Sequence, residues 1–185
     1  MQVRLLVRTG SAALFAAVLA ACGGNASETS QRRLCRLSQL GLTLGQELTA
    51  VTGHNPFTIH LTNRGAQSCV VNGYPAISFN DARGSLPFVV NHGGDQQVAS
   101  RPPERVSIRP GRTAFVVMQK YRCDFGKLRV ASTLRLALPG GVPSAGTVVD
   151  LSSLGSRIAY CRGGSTVNAV SVSPFVPSIA AGLRH

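Results

Sequence analysis

Cysteine, histidine, carboxylate and arginine are the side chains here able to do chemistry, and their spacing narrows what each can do. Cys35, Cys69, Cys123 and Cys161 include no C-x₂-C pair and no cysteine–histidine spacing typical of zinc, so no metal site is expected. Four cysteines in an exported chain form a disulfide framework, here two bonds. Three pairings are open. Cys35–Cys69 with Cys123–Cys161 is favoured, because each joins neighbouring stretches and staples half of the domain. Loop closure makes each bond worth about 4 kcal/mol at most, since strain subtracts from it. A blue-copper centre would need a cysteine, two histidines and often a methionine. Met118 and His60 are present, but the cysteines are already committed and no histidine closely follows one.

Catalytic sets are missing from the sequence. There is no G-x-S-x-G, H-E-x-x-H or G-x-x-x-x-G-K. Glu28, Glu47, Asp81, Asp95, Glu104, Asp124 and Asp150 form no close sequence pair, although glycosidase carboxylates need only be close in space. His54 and His60 flank a predicted turn and strand, and His92 falls in a polar loop; solvated side chains are the expectation. No catalytic residue and no cofactor is predicted.

Charge is more informative. The chain carries 19 bases, 7 acids and a net charge of +12. Nine bases lie between Arg101 and Arg135, opposed only by Glu104 and Asp124. Arg105, Arg109 and Arg135 alternate with inward residues, so they are expected to point outward. If their strands share a sheet, they form a basic face with Arg112 beside it. Two readings stay open: attraction to an anionic lipid, an acidic envelope polymer or an acidic protein, or a solvated surface whose arginine richness reflects codon usage. Nucleic acid is not an expected partner outside the cell membrane, and the aromatic platform that single strands need is missing.

The compartment is read from the start of the chain. Arg4 and Arg8 make a positive n-region, and Ser11 to Ala21 is an uncharged apolar run too short to span a bilayer. Leu19-Ala20-Ala21-Cys22 resembles the lipobox of bacterial lipoproteins. That resemblance implies cleavage after residue 21 and lipidation of Cys22, two acyl chains giving a stable anchor. Residues 22–34 read as a flexible tether; its polar part, of about ten residues, spans roughly 15–20 Å. The expected location is the extracytoplasmic side of the cell membrane. Cleavage leaves 17 bases against 7 acids, a net +10.

The elements that must position these residues are strands. Phe57, Ile59 and Leu61 alternate with polar residues, Asn63-Arg64-Gly65 breaks the pattern, and Gly73-Tyr74-Pro75 forces a second turn. Leu40 to Leu44 reads as a first strand. Ala76 to Phe79 reads as a strand whose hairpin partner is Leu86 to Val90, an edge because of Pro87. Arg105 to Arg109 alternates, Pro110-Gly111 turns, and Thr113 to Met118 is apolar on both faces, as a central strand is. Thr133 to Leu138, Thr147 to Leu151 and Thr166 to Val172 complete eight or nine short strands. The expected fold is all-β: a two-layer antiparallel immunoglobulin-like sandwich over 35–176, with a patternless tail at 177–185.

Leu61-Thr62-Asn63-Arg64-Gly65, Cys69-x₃-Gly73-Tyr74-Pro75, Arg109-Pro110-Gly111-Arg112-Thr113-Ala114, Val172-Ser173-Pro174-Phe175 and the four spaced cysteines together resemble a family. It is the actinobacterial secreted lipoprotein domain of unknown function, and the resemblance covers about 35–176. The family carries an aromatic residue, often Trp, after the P-G-x-x-A strand; this chain has Gln119-Lys120-Tyr121 there. The resemblance implies an envelope-exposed β-sandwich and no established activity. The resulting expectation is a lipid-anchored, non-catalytic module that binds an envelope component or partner protein. The alternatives are an envelope hydrolase with a loop-built site and a structural or assembly factor.

Overall fold

The computed structural model describes residues 33–45, 48–49, 52–124, 126–163 and 166–184. The segment read as an export signal, the lipidation expected at Cys22 and the expected tether as far as residue 32 lie outside the described residues. Thirteen strands follow one another: β1 (Leu40–Leu44), β2 (His54–Asn63), β3 (Cys69–Val71), β4 (Ala76–Asp81), β5 (Gly84–Leu86), β6 (Val89–His92), β7 (Val106–Ile108), β8 (Thr113–Tyr121), β9 (Lys127–Val130), β10 (Thr133–Ala137), β11 (Thr147–Asp150), β12 (Ala159–Cys161) and β13 (Ala169–Val172). Among the described residues the α-helical structure is one short piece, α1 (Ile179–Gly182), near the end of the chain, beside short 3-10 turns.

The protein is predominantly β. A five-stranded sheet runs β1-β2-β8-β13-β6, a four-stranded sheet runs β11-β10-β4-β5, and β9–β12 and β3–β7 form two small ladders. The long β2–β8 pairing, from His54 against Tyr121 to Thr62 against Thr113, is the spine. Its register follows from burial: Phe57, Ile59 and Leu61 must all face the core, and a slip of one residue would expose all three. β8 is central, as its two-sided hydrophobicity predicts, with Val116, Val117 and Met118 fully buried. One hydrophobic cluster draws on both large sheets, with Phe57, Met118 and Val172 from the first and Phe79, Leu134 and Val149 from the second.

Three details differ from expectation. The hairpin partner of β4 is β5, not a strand running from Leu86 to Val90, through Phe79 against Leu86 and Asp81 against Gly84, while the other edge of β4 pairs with β10. Pro87 lacks the N–H that would extend this ladder, and the chain then crosses to the other sheet. There β6 pairs in parallel with β13, so the topology is not wholly antiparallel. Finally, the strands exceed the expected eight or nine, because β3, β5, β9 and β12 are only three or four residues long. Such pieces show no readable period.

Both disulfides have the favoured connectivity, Cys35–Cys69 and Cys123–Cys161. The first ties the entry of the domain to β3, and the second ties the loop after β8 to β12. The tail also joins the fold. Ser178 caps α1 by accepting from the Ala181 N–H at 3.2 Å. The Ala99 N–H donates to Gly182 O, and the Arg184 N–H donates to Gln97 O.

Candidate functional site

Two of the segments singled out in the sequence, residues 61–65 and 109–114, meet at one turn. Asn63 ends β2 fully buried, and its side chain is saturated. Its Nδ2 donates to Gln67 O at 2.8 Å and to Ile108 O at 2.9 Å, while its Oδ1 accepts from the Gly65 N–H at 2.9 Å. Its backbone continues the clamp: the Asn63 N–H donates to Arg112 O, and the Gly111 N–H donates to Asn63 O. The Pro110-Gly111 turn is closed by the Arg112 N–H donating to Arg109 O at 2.9 Å. Gly111 has φ 71°, where a side chain would be strained. Arg109 and Arg112 are therefore first and last residues of a turn held on both sides by Asn63.

Both arginines are exposed and line one open cleft of about 440 Å³. Thr113, Phe115 and Pro177 line it too, and no carboxylate does. Phe115 is held in place by mutual backbone hydrogen bonds with Val176, each 2.9 Å. Neither arginine has an acidic partner among the described residues. A larger cleft of about 640 Å³, between residues 94–104 and the tail, is less suited to an anion. Its Arg101 already donates to Glu104 Oε1 at 2.8 Å and to Ala181 O at 2.9 Å.

The other candidate arginines lie elsewhere. Arg105 is exposed just before β7 and does not line the Arg109–Arg112 cleft. Arg135, on β10, is half-buried; its Nη1 donates to Ser144 O at 3.4 Å, and it lines a separate cleft with Ser78 and Asn80. β7 and β10 do not share a sheet, so the condition for a single basic face is not met. Three other bases of the 101–135 segment have counter-charges: Arg101 on Glu104, Arg122 on Asp124 and Arg129 on Asp81. Lys120 is fully buried rather than on any face. Lys127 is exposed on β9, outside the Arg109–Arg112 cleft, so the bases that gather at one place are a local pair at one turn.

The histidines have mostly structural surroundings. His60 packs edge-on against Phe115 at 4.9 Å, and burial pushes its pKa down. His92 stacks on Tyr74 at 4.1 Å. His54 is different. The Gln97 N–H donates to Gln119 Oε1 at 3.1 Å, which turns the Gln119 amide nitrogen toward His54 Nδ1 as a donor. Asp95 Oδ1 lies 3.7 Å from the same nitrogen, and Ser171 Oγ donates to Asp95 Oδ2 at 3.1 Å. These are the three residue types of a hydrolase triad in the wrong order. The hydroxyl donates its hydrogen bond to the carboxylate, whereas a nucleophilic triad places the imidazole between them. Sequence reasoning missed this cluster, because positions 54, 95 and 171 carry no local motif. No group of three metal-ligating side chains occurs among the described residues.

The family model described as Domain of unknown function (DUF4232) matches residues 35–175, most of the chain. The chain belongs to that family. No curated protein and no solved structure matches it.

Proposed function

We propose that this protein is a lipid-anchored, extracytoplasmic and non-catalytic binding module. In this reading the two large sheets form an immunoglobulin-like sandwich, and Cys22 carries the anchor of an actinobacterial envelope lipoprotein. The Arg109–Arg112 turn engages an anionic component of the envelope bearing phosphate or carboxylate groups. One observation carries the proposal: two exposed arginines without counter-charges flank a rigid turn and line the same carboxylate-free cleft. Guanidinium groups suit such ligands because their planar donor forks match both oxyanions. Both disulfides agree with an oxidising compartment.

The test is binding of the full chain to long-chain polyphosphate and, separately, to vesicles rich in phosphatidylglycerol, each at two salt concentrations. Replacing both arginines by alanine removes about 1 kcal/mol each, and affinity should fall about 30-fold. Raising the salt should weaken wild-type binding more than binding of the double variant. Arg135→Glu is the control, because that residue lies in another cleft. Equal loss in the control and the double variant would mean that overall charge, not this turn, holds the ligand. The hydrolase alternative would need a hydroxyl aligned on an imidazole, which the His54–Asp95–Ser171 order does not supply.

A further inference from the structure

Lys120 and the Cys123–Cys161 disulfide meet inside the domain. Lys120 is fully buried near the end of β8. Its Nζ donates to Tyr121 O at 2.5 Å, to Val167 O at 2.7 Å and to Cys161 Sγ at 3.4 Å. Two carbonyl dipoles and a neutral sulfur supply no counter-charge, and no carboxylate pairs with this ammonium among the described residues. A buried cation normally requires an anion. Cys161 is the hydrogen-bonded neighbour able to become one, by leaving the disulfide as a thiolate.

The two sulfurs are also unequal. Cys161 is only 2% exposed, on β12, whereas Cys123 lies partly exposed in the loop before β9. An incoming nucleophile reaches Cys123, and the sulfur expelled is the one beside Lys120. Cys35–Cys69 makes a natural reference, since no ion pair or lysine contact accompanies its sulfurs among the described residues.

We propose that Cys123–Cys161 is a thiol-exchange site: the thiolate of a low-molecular-weight thiol attacks Cys123 Sγ, and Cys161 leaves as a thiolate held by the Lys120 ammonium. The step is balanced. One S–S bond forms between the small thiol and Cys123 as the Cys123–Cys161 bond breaks, and the electron pair of the broken bond stays on Cys161. The first step is isoelectronic exchange, the protein remaining covalently capped at Cys123. Release is the reverse: Cys161 attacks Cys123 and expels the small thiolate. Stabilising the leaving thiolate speeds exchange, because leaving groups of lower basicity depart faster. A cationic neighbour is a recognised means of making a cysteine such a leaving group.

The experiment treats the full chain with glutathione at neutral pH, quenches with acid, alkylates the free thiols and maps adducts by peptide mass spectrometry. Glutathione is expected on Cys123 and the alkyl group on Cys161, with Cys35–Cys69 intact. Lys120→Met should slow opening of Cys123–Cys161 by about tenfold and leave Cys35–Cys69 unchanged. Lys120→Gln, which keeps a donor but no charge, should behave like Lys120→Met. Glutathione on Cys161, earlier opening of Cys35–Cys69, or unchanged rates in both variants would overturn the proposal. If neither variant folds, the sites of adduct and alkylation on the wild-type chain decide it alone.

Discussion

Replacing Lys120 with methionine should abolish a specific rise in stability at alkaline pH. Burial lowers the Lys120 pKa from 10.5 to about 8. The unfolded chain therefore holds this proton more tightly than the folded one, and stability rises with pH between the two values. Below pH 8 the fold carries the whole cost of burying a cation; above 10.5 that cost is gone. The separation corresponds to about 3 kcal/mol, gained at up to about 1.4 kcal/mol per pH unit. Methionine has similar length and removes the charge, but it leaves the Tyr121 and Val167 carbonyls without their donor. Each lost partner costs about 1–3 kcal/mol, so the two effects roughly offset at pH 7. The contrast appears on raising the pH. Urea unfolding of both proteins from pH 7 to pH 10.5 should show wild type gaining about 3 kcal/mol relative to Lys120→Met. Other titrating groups cancel in that difference. Parallel stability curves would refute the reasoning, since they would mean that Lys120 titrates alike in the folded and unfolded states.

Two further outcomes follow from single side chains. Asn63→Ala should destabilise the domain by about 3 kcal/mol in urea unfolding, because it strands the Gln67 and Ile108 carbonyls and the Gly65 N–H. Asp81 is held at a pKa of about 2 chiefly by its hydrogen bond from Arg129. Its stabilisation is therefore complete above about pH 4 and is lost as pH falls through 2. Asp81→Asn should flatten that part of an acid-unfolding curve monitored by circular dichroism, and an unchanged acid limb would discount the pair.

Long strands with one buried face were legible in the sequence. Phe57, Ile59 and Leu61 set the period of β2, Leu134 and Leu136 set that of β10, and apolar residues on both faces marked β8 as central. The β9–β12 ladder was not legible, because its strands are short and their partnership is settled by a disulfide between positions 123 and 161. The parallel β6–β13 pair escaped for a related reason: nothing within Val89–His92 says which sheet it joins. Lys120 misled most. Lysine suggests surface, yet this one continues a strand buried on both faces from Val116 through Gln119. Arg109 and Arg112 were identifiable as candidates from charge alone. Their meeting in one cleft follows from the turn geometry, whereas Arg105 and Arg135 depend on sheet partners that no local pattern encodes.

Three of the segments singled out in the sequence make physical sense together. Asn63 belongs to the segment 61–65, Gly111 to the segment 109–114, and each holds the other: Asn63 O accepts from the Gly111 N–H and the Asn63 N–H donates to Arg112 O. Val172-Ser173-Pro174-Phe175 fixes the backbone on the neighbouring side. Ser173 Oγ accepts from the Val117 N–H at 2.9 Å, the Phe175 N–H donates to Gly73 O at 3.0 Å, and Val176 then reaches Phe115 in the cleft wall. Burying polar side chains such as Asn63 and Ser173 costs desolvation unless they are satisfied, and an apolar core could hold two sheets together without them. What they add is direction: each bonds named backbone atoms at a set distance, as packed methyl groups do not. Stability alone gives little reason to set a buried polar anchor, Asn63, behind a single exposed turn. For the proposed anion site, a turn whose backbone Asn63 already holds leaves less loop ordering to oppose binding.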